Sequence, residues 1–167
     1  IDILVNNASG FGRGDDEESW DASLAVDLMA AVRASRAAVP FLLKGTQPTI
    51  IHIASGSGLN PSVRTPAYGA AKAAVIHYTR TQAATLAKHG IRVNCVAPGS
   101  SEFPGGSWAK RKTDDPKLYD GILNSMPAGR LGRPEEVANV VLFLASSAAI
   151  WVTAQIISVN GGQGFGR

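Results

Sequence analysis

The sequence predicts an α/β fold built around a doubly wound, parallel sheet, and three observations lead there. Short β-rich runs alternate with longer helical patterns, the order of successive βα units. Most of the candidate strands are nearly continuous apolar runs, as strands covered by helices on both faces are. Helix stop and start chemistry separates them: Gly90 follows Lys88-His89, and Pro134-Glu135-Glu136 puts a fixed φ and two acids in a first turn.

In chain order, strands are expected at Ile3 to Asn6, Thr49 to Ala54, Arg92 to Ala97 and Gln155 to Val159. Helices are expected at Glu17 to Leu43, Ala67 to His89 and Pro134 to Ser146. The stretch from Gly99 to Pro127 is rich in Gly, Pro, Ser and charge and is long for a connection. Such segments are often active-site lids. The 167 residues are read as one partial domain, residues 1–167, with a substrate lid at about 99–127.

Composition excludes several function classes. A 45% hydrophobic, 17% charged chain is an ordinary globular one. Its longest apolar stretch, Val140 to Val152, is broken by Ser146-Ser147 and falls short of the roughly 20 residues a bilayer span needs. No membrane partner is expected, nor is a signal peptide found, which points to a cytoplasmic location. The net charge of +3 comes from dispersed basic residues, apart from Lys110-Arg111-Lys112, so nucleic acid is not an expected partner. Cys95 stands alone and reads as a small buried hydrophobe. His52, His77 and His89 lack metal-site spacing, and no metal is expected.

The chemistry centres on Tyr68-Gly69-Ala70-Ala71-Lys72. Residues four apart share a helix face, so phenol and ammonium project together. A cation about 5 Å from a phenol, at an effective dielectric near 20, favours phenolate by roughly 3 kcal/mol. That would draw the phenol from near 10 toward the range useful for general acid–base catalysis. The same spacing also arises in ordinary surface pairs. Upstream, the strand ending at Ala54 runs into Ser55-Gly56-Ser57-Gly58. Ligands in open α/β sheets sit beyond the C-terminal strand ends, where Ser55 could hydrogen-bond a substrate oxygen or simply be a turn serine.

Taken together, these residues resemble the short-chain dehydrogenase/reductase family over essentially the whole chain. Asn6-Asn7-Ala8-Ser9-Gly10 is similar to the family's N-N-A-G turn. Ser55, 13 positions before Tyr68 and three before Gly58, matches its catalytic serine. Arg92 to Gly99 resembles the strand and P-G turn that meet the nicotinamide. Gly129 to Ala138 and Val159-Asn160-Gly161-Gly162 resemble its closing segments, most closely those of 3-oxoacyl-carrier-protein reductase-like members. The resemblance implies the C-terminal part of a Rossmann-like fold that uses NAD or NADP to interconvert a small-molecule carbonyl and alcohol.

It also implies roles. Tyr68 is the general acid or base, Lys72 lowers its pKa and holds the nicotinamide ribose, and Ser55 orients the substrate oxygen. Asp27 stands where the family has a relay Asn. Asn6, Ala8, Ser9, Tyr68, Lys72, Pro98, Gly99 and Ser101 are the implied cofactor contacts.

Several positions depart from the family pattern. Asp27 would bind part of the Lys72 charge and shrink the phenol's shift. Ser9 replaces a Gly, and Asn160 replaces an Asp. Phe103 replaces a carboxamide-binding Thr, which weakens the implied grip on the nicotinamide or moves it to Ser100 and Ser101. The first strands and the Gly-rich pyrophosphate loop do not occur in this sequence. Gly10, Gly12 and Gly14 are too closely spaced for that loop, and the residue that selects NAD or NADP is absent too.

Without those strands, the first strand here is expected to be a sheet edge. The alternative reading is a truncated, catalytically inactive relic acting as an oligomeric scaffold or binding module. A homodimer or homotetramer is expected through the Ala-rich helices 17–43 and 67–89, whose faces otherwise simply pack on the sheet. Trp108 and Tyr119 are the candidate apolar substrate contacts in the lid.

Overall fold

The computed structural model describes residues 1–164. Four strands form one parallel sheet in the order β1 (Ile3–Asn6), β2 (Thr49–Ile53), β3 (Arg92–Pro98), β4 (Ile156–Val159). In register, Asn6 lies opposite His52, His52 opposite Cys95, and Cys95 opposite Ile156, so three loops leave the C-terminal edge side by side. Each expected strand is present, with ends moved by one residue at most.

The long helix expected from Glu17 is three consecutive pieces. Helix α1 (Glu17–Ala22) is capped by Asp16, whose carboxylate accepts from the Ser19 amide at 2.9 Å. A π-helical segment (Ser23–Ala30) follows, and α2 (Ala31–Leu42) completes the run with Pro40 inside it. π segments recur at functional sites, and this one carries the buried Asp27. Helix α3 (Pro66–Leu86) starts on a proline and ends in a short 3₁₀ turn closed by Gly90 at φ 71°, a left-handed position glycine adopts without strain.

The expected lid region is more regular than its Gly and Pro content implied: it holds α4 (Ser107–Asp114) and α5 (Pro116–Asn124). Pro116 enters α5 at its first turn, where no amide partner is lost, and Asp115 caps it through the Leu118 amide at 3.1 Å. Helix α6 (Pro134–Ala145) has Glu135 and Glu136 in its first turn, as read from the sequence.

Alternation along the strands divides the core. Ile50 and Val93 face α2 and α3, packing with Ala38, Leu42, Ala83 and Leu86. Ile51 and Val96 face the other way, against Leu144 of α6. Each such fully buried Leu or Ile contributes roughly 2 kcal/mol over exposure. The lid carries its own small core of Tyr119, Met126 and Leu131, with Trp108 packed on it. Strand β1 lies at the sheet edge, and its outward side chains Ile3 and Val5 are exposed. No helix among the described residues is long and apolar enough to cross a membrane.

Candidate active site

Two glycines bring the Ser55 turn onto helix α3. A Cβ at Gly58 would fall 2.7 Å from the Lys72 carbonyl carbon, and one at Gly69 would fall 3.0 Å from the Ser57 carbonyl oxygen. Only hydrogen in those places lets the loop after β2 rest directly on the first turns of α3. Ser55 caps the 3₁₀ turn Gly56–Gly58, its hydroxyl accepting from the Ser57 amide at 3.1 Å. It thus stands beyond the end of β2, beside Tyr68.

The Lys72 side chain runs inward and is 4% exposed. Its ammonium lies 5.5 Å from the Tyr68 ring centroid, donates to the Ile53 carbonyl at 2.9 Å, and pairs with Asp27 Oδ1 at 3.2 Å. The Asp27 carboxylate is fully buried and collects further donors. Ser9 Oγ–H donates to Oδ1 at 2.7 Å, while the amides of Gly10 and Phe11 donate to Oδ2 at 3.2 and 3.1 Å. Asp27 therefore fastens the loop after β1 to the lysine of α3. A buried ion pair offsets its desolvation only with such added hydrogen bonds.

Sequence reasoning did not find Phe11. It sits at φ 49°, a strained region for a bulky residue, and its ring meets Tyr68 edge-on at 4.9 Å and 85°. The flanking Gly10 and Gly12 were the only hint. A Cβ at Gly12 would overlap the Ser19 carbonyl, so this loop lies tight on α1.

The expected downward shift of the Tyr68 phenol is not what the structure gives. Burial pushes the phenol above its ordinary value, the Ser55 hydroxyl pulls it partly back, and the Asp27 carboxylate pushes it up again. The downward shift expected from Lys72 was to be reduced by Asp27, and burial of the phenol carries it past zero. Here the lysine faces a carboxylate at 3.2 Å, and the ring is half-buried under Phe11.

The implied cofactor positions divide by what they already bind. Ala8 and Ser9 lie exposed on the loop after β1. Pro98 ends β3, and the Gly99 amide donates to the Val159 carbonyl at 3.0 Å. A Cβ at Gly99 would fall 2.7 Å from Asn160 Cβ, so this turn needs glycine. Ser101 pairs with Gly132 in an isolated parallel bridge. Ser100 is held by Gln163, through its amide at 2.8 Å and its hydroxyl at 3.0 Å.

Asn6 is engaged inside the fold: its amide donates to Ser35 Oγ at 3.0 Å and meets His52 Nδ1 at 3.2 Å. Its part at the site is therefore to fix the end of β1. Tyr119 is likewise not an open apolar contact. It is buried in the lid core, and its hydroxyl donates to Glu102 at 2.6 Å. Trp108 is half-buried, with the Arg111 guanidinium 5.0 Å over its ring. Asn160 holds the closing turn, its Oδ1 accepting from the Gly162 amide at 3.1 Å.

Residues 1–163 match the profile of the family described as Enoyl-(Acyl carrier protein) reductase. The chain is 40% identical to the 3-oxoacyl-(acyl-carrier-protein) reductase FabG of Thermotoga maritima, over 97% of this chain and 65% of that protein. It is 39% identical to the isoepoxydon dehydrogenase patN of Aspergillus clavatus, over 97% of this chain and 63% of that protein. Among solved structures it superposes, with a TM-score of 0.89 and 36% identity, on a crystal structure from Agrobacterium tumefaciens described as a 2-deoxy-D-gluconate 3-dehydrogenase with bound NADP. That match covers 98% of this chain and 67% of the other. The chain thus spans just under two thirds of the length of these curated relatives.

Proposed function

Because the chain belongs to the short-chain dehydrogenase/reductase family, we propose that it forms the catalytic part of an NAD(P)-dependent oxidoreductase interconverting a small-molecule carbonyl and alcohol. The observation that carries this reading is the convergence of Ser55, Tyr68, Lys72 and Asp27 at the C-terminal edge of the sheet.

The residues present fit the nicotinamide end of such a cofactor. The Lys72 ammonium has three N–H donors, of which Asp27 and Ile53 take two, leaving one for a ribose hydroxyl. Ala8, Ser9, Pro98, Gly99 and Ser101 belong to loops on the same sheet edge and would hold the ring. The Gly-rich pyrophosphate loop is not among these residues, so NAD and NADP are not distinguished here. When bound, the nicotinamide supplies or accepts the hydride.

Ser55 orients the substrate oxygen by hydrogen bonding, and Tyr68 exchanges the proton with that oxygen. The phenol is protonated at neutral pH and can give its proton to a carbonyl oxygen, and in the reverse direction it receives the alcohol's proton. The helices at 99–127 serve as the substrate lid. Ala70 and Ala73 are exposed at the start of α3, where small side chains allow close packing, and His77 and Arg80 continue the same face; association as a homodimer or homotetramer through the Ala-rich helices belongs to this reading.

The test is cofactor titration with NADPH and NADH, followed by turnover of the Tyr68→Phe variant. We expect kcat to fall at least about 100-fold with cofactor affinity nearly intact. An unchanged kcat would remove Tyr68 from the chemistry. Absence of both cofactor binding and turnover in the full-length protein would favour the inactive scaffold.

A further inference from the structure

Among the described residues only Phe11 and Ala154 carry a side chain at positive φ, and Phe11 is the bulky one, at φ 49°. Its two neighbours are glycines, yet neither Gly10 nor Gly12 takes a positive φ. Their missing side chains serve closeness instead: a Cβ on either would run into the backbone carbonyl of Ala22 or Ser19. The residue with most to lose in the left-handed region thus occupies it, between two that would enter it freely.

Core packing does not account for this. The Phe11 ring is half-buried and, among the described residues, belongs to none of the four apolar clusters. It meets the Tyr68 ring edge-on at 4.9 Å and 85°, with the Arg13 guanidinium 5.2 Å from its own centroid. Backbone strain persists only where the surroundings fix it. Here Asp27 Oδ2 accepts from the Phe11 amide at 3.1 Å and Ser23 Oγ from the Gly12 amide at 3.1 Å, both acceptors on the π segment. The same carboxylate holds Lys72 at 3.2 Å through Oδ1, and that ammonium lies 5.5 Å from the Tyr68 centroid. One buried acid therefore fixes two neighbours of the phenol ring, a cation and an aromatic ring.

Resting on the oxidoreductase reading above, we propose that Phe11 is a positioning residue for the proton transfer: its ring keeps the Tyr68 phenol turned toward Ser55 and the substrate oxygen, and its backbone strain is held for that contact. An edge-on pair resists rotation of either ring, since turning one opens the contact. Without Phe11 the phenol is free to tilt, and a misplacement of about 1 Å at a reacting group can slow the reaction about 100-fold.

The experiment compares the full-length protein with its Phe11→Gly, Phe11→Leu and Phe11→Tyr variants, using the tighter-binding of NADPH and NADH and ethyl acetoacetate as the ketone. Glycine removes both ring and strain, so a role at the site and a role in the fold predict opposite results. We expect Phe11→Gly to have a Tm no lower than the parent's while kcat falls at least about tenfold. KM and cofactor affinity should move less than about twofold, because the loss falls on the transition state and Lys72 stays in place. Phe11→Tyr keeps the ring and should recover most of kcat, whereas Phe11→Leu, apolar but without an aromatic edge, should recover less. An unchanged kcat in Phe11→Gly, a loss confined to KM, or parallel losses of Tm and kcat would each overturn the proposal and leave the oxidoreductase reading standing.

Failure to reduce the ketone counts against the oxidoreductase reading alone, and Phe11 is then judged by the tyrosinate absorbance of Tyr68, taken as the difference from Tyr68→Phe. Facing that phenol are Ser55 from the loop after β2, Asp27 from the π segment, Lys72 on its own helix and Arg13 beyond the Phe11 ring. Burial does most to hold the phenol up, so tyrosinate should form at lower pH in Phe11→Gly than in the parent. An unmoved titration would overturn the contact.

Discussion

Replacing Asp27 by asparagine tests the buried knot at the centre of the site. The carboxylate offers two acceptor oxygens to four donors: Ser9 and Lys72 on one, the Gly10 and Phe11 amides on the other. Asparagine has one acceptor oxygen and one NH₂ group. If its oxygen faces the two amides, its NH₂ points at the lysine ammonium. If its oxygen faces lysine, its NH₂ points at two backbone N–H groups. Either way donors oppose donors in a buried setting, where each unsatisfied group costs about 1–3 kcal/mol.

Loss of the paired charge adds to this, since breaking a buried ion pair costs about 3–5 kcal/mol. Lys72 keeps its bond to the Ile53 carbonyl, so we place the total near 3 kcal/mol. Urea unfolding followed by far-UV circular dichroism measures it. The Lys72→Met variant and the double variant complete a cycle in which the double should cost less than the two singles combined. A loss below about 0.5 kcal/mol for Asp27→Asn would show that the loop after β1 does not depend on this carboxylate.

Three other predictions concern the same framework. His52 is held neutral below its ordinary value by burial, although its bond to Gln82 works the other way. Its Nε2–H donates to Gln82 at 2.9 Å and its Nδ1 accepts from Asn6. The unfolded histidine takes up a proton near pH 6.5, so stability should be full above that value and fall as pH drops below it. His52→Gln should flatten this slope in urea midpoints, and an identical slope would exclude His52 as its source.

Gly58→Ala should cost about 2 kcal/mol, because the new methyl meets the backbone of α3 at Lys72 and must push the Ser55 turn away. An unchanged Tm would show that the two segments separate freely. Cys95 is fully buried and its thiol is pushed up to about 11. It should resist a disulfide reagent at pH 8 in the native protein and react once urea is added, whereas prompt native reaction would contradict its burial.

The sequence by itself determined the four strands, the main helices and one half of the site, but not the two lid helices or the π segment. Apolar runs between glycines and prolines specify the strands, because a strand covered on both faces must be apolar along its whole length. The i, i+4 spacing puts Tyr68 and Lys72 on one face of α3, because helix geometry is local.

What only the tertiary structure decided is whatever depends on residues distant in sequence. Asp27 reaches Lys72 across a π segment and another helix, and from there grips the backbone at Gly10 and Phe11. Phe11 covers Tyr68 because the loop is held on one side by Asp27 and on the other by Ser23. The phenol's shift changed sign for the same reason: the lysine four residues away and, through the family resemblance, the Asp27 carboxylate were legible in sequence, but the burial that outweighs them was not. Electrostatics at a site depends on what is excluded from it as much as on what is near it, and the exclusion of water is a property of the packed chain alone.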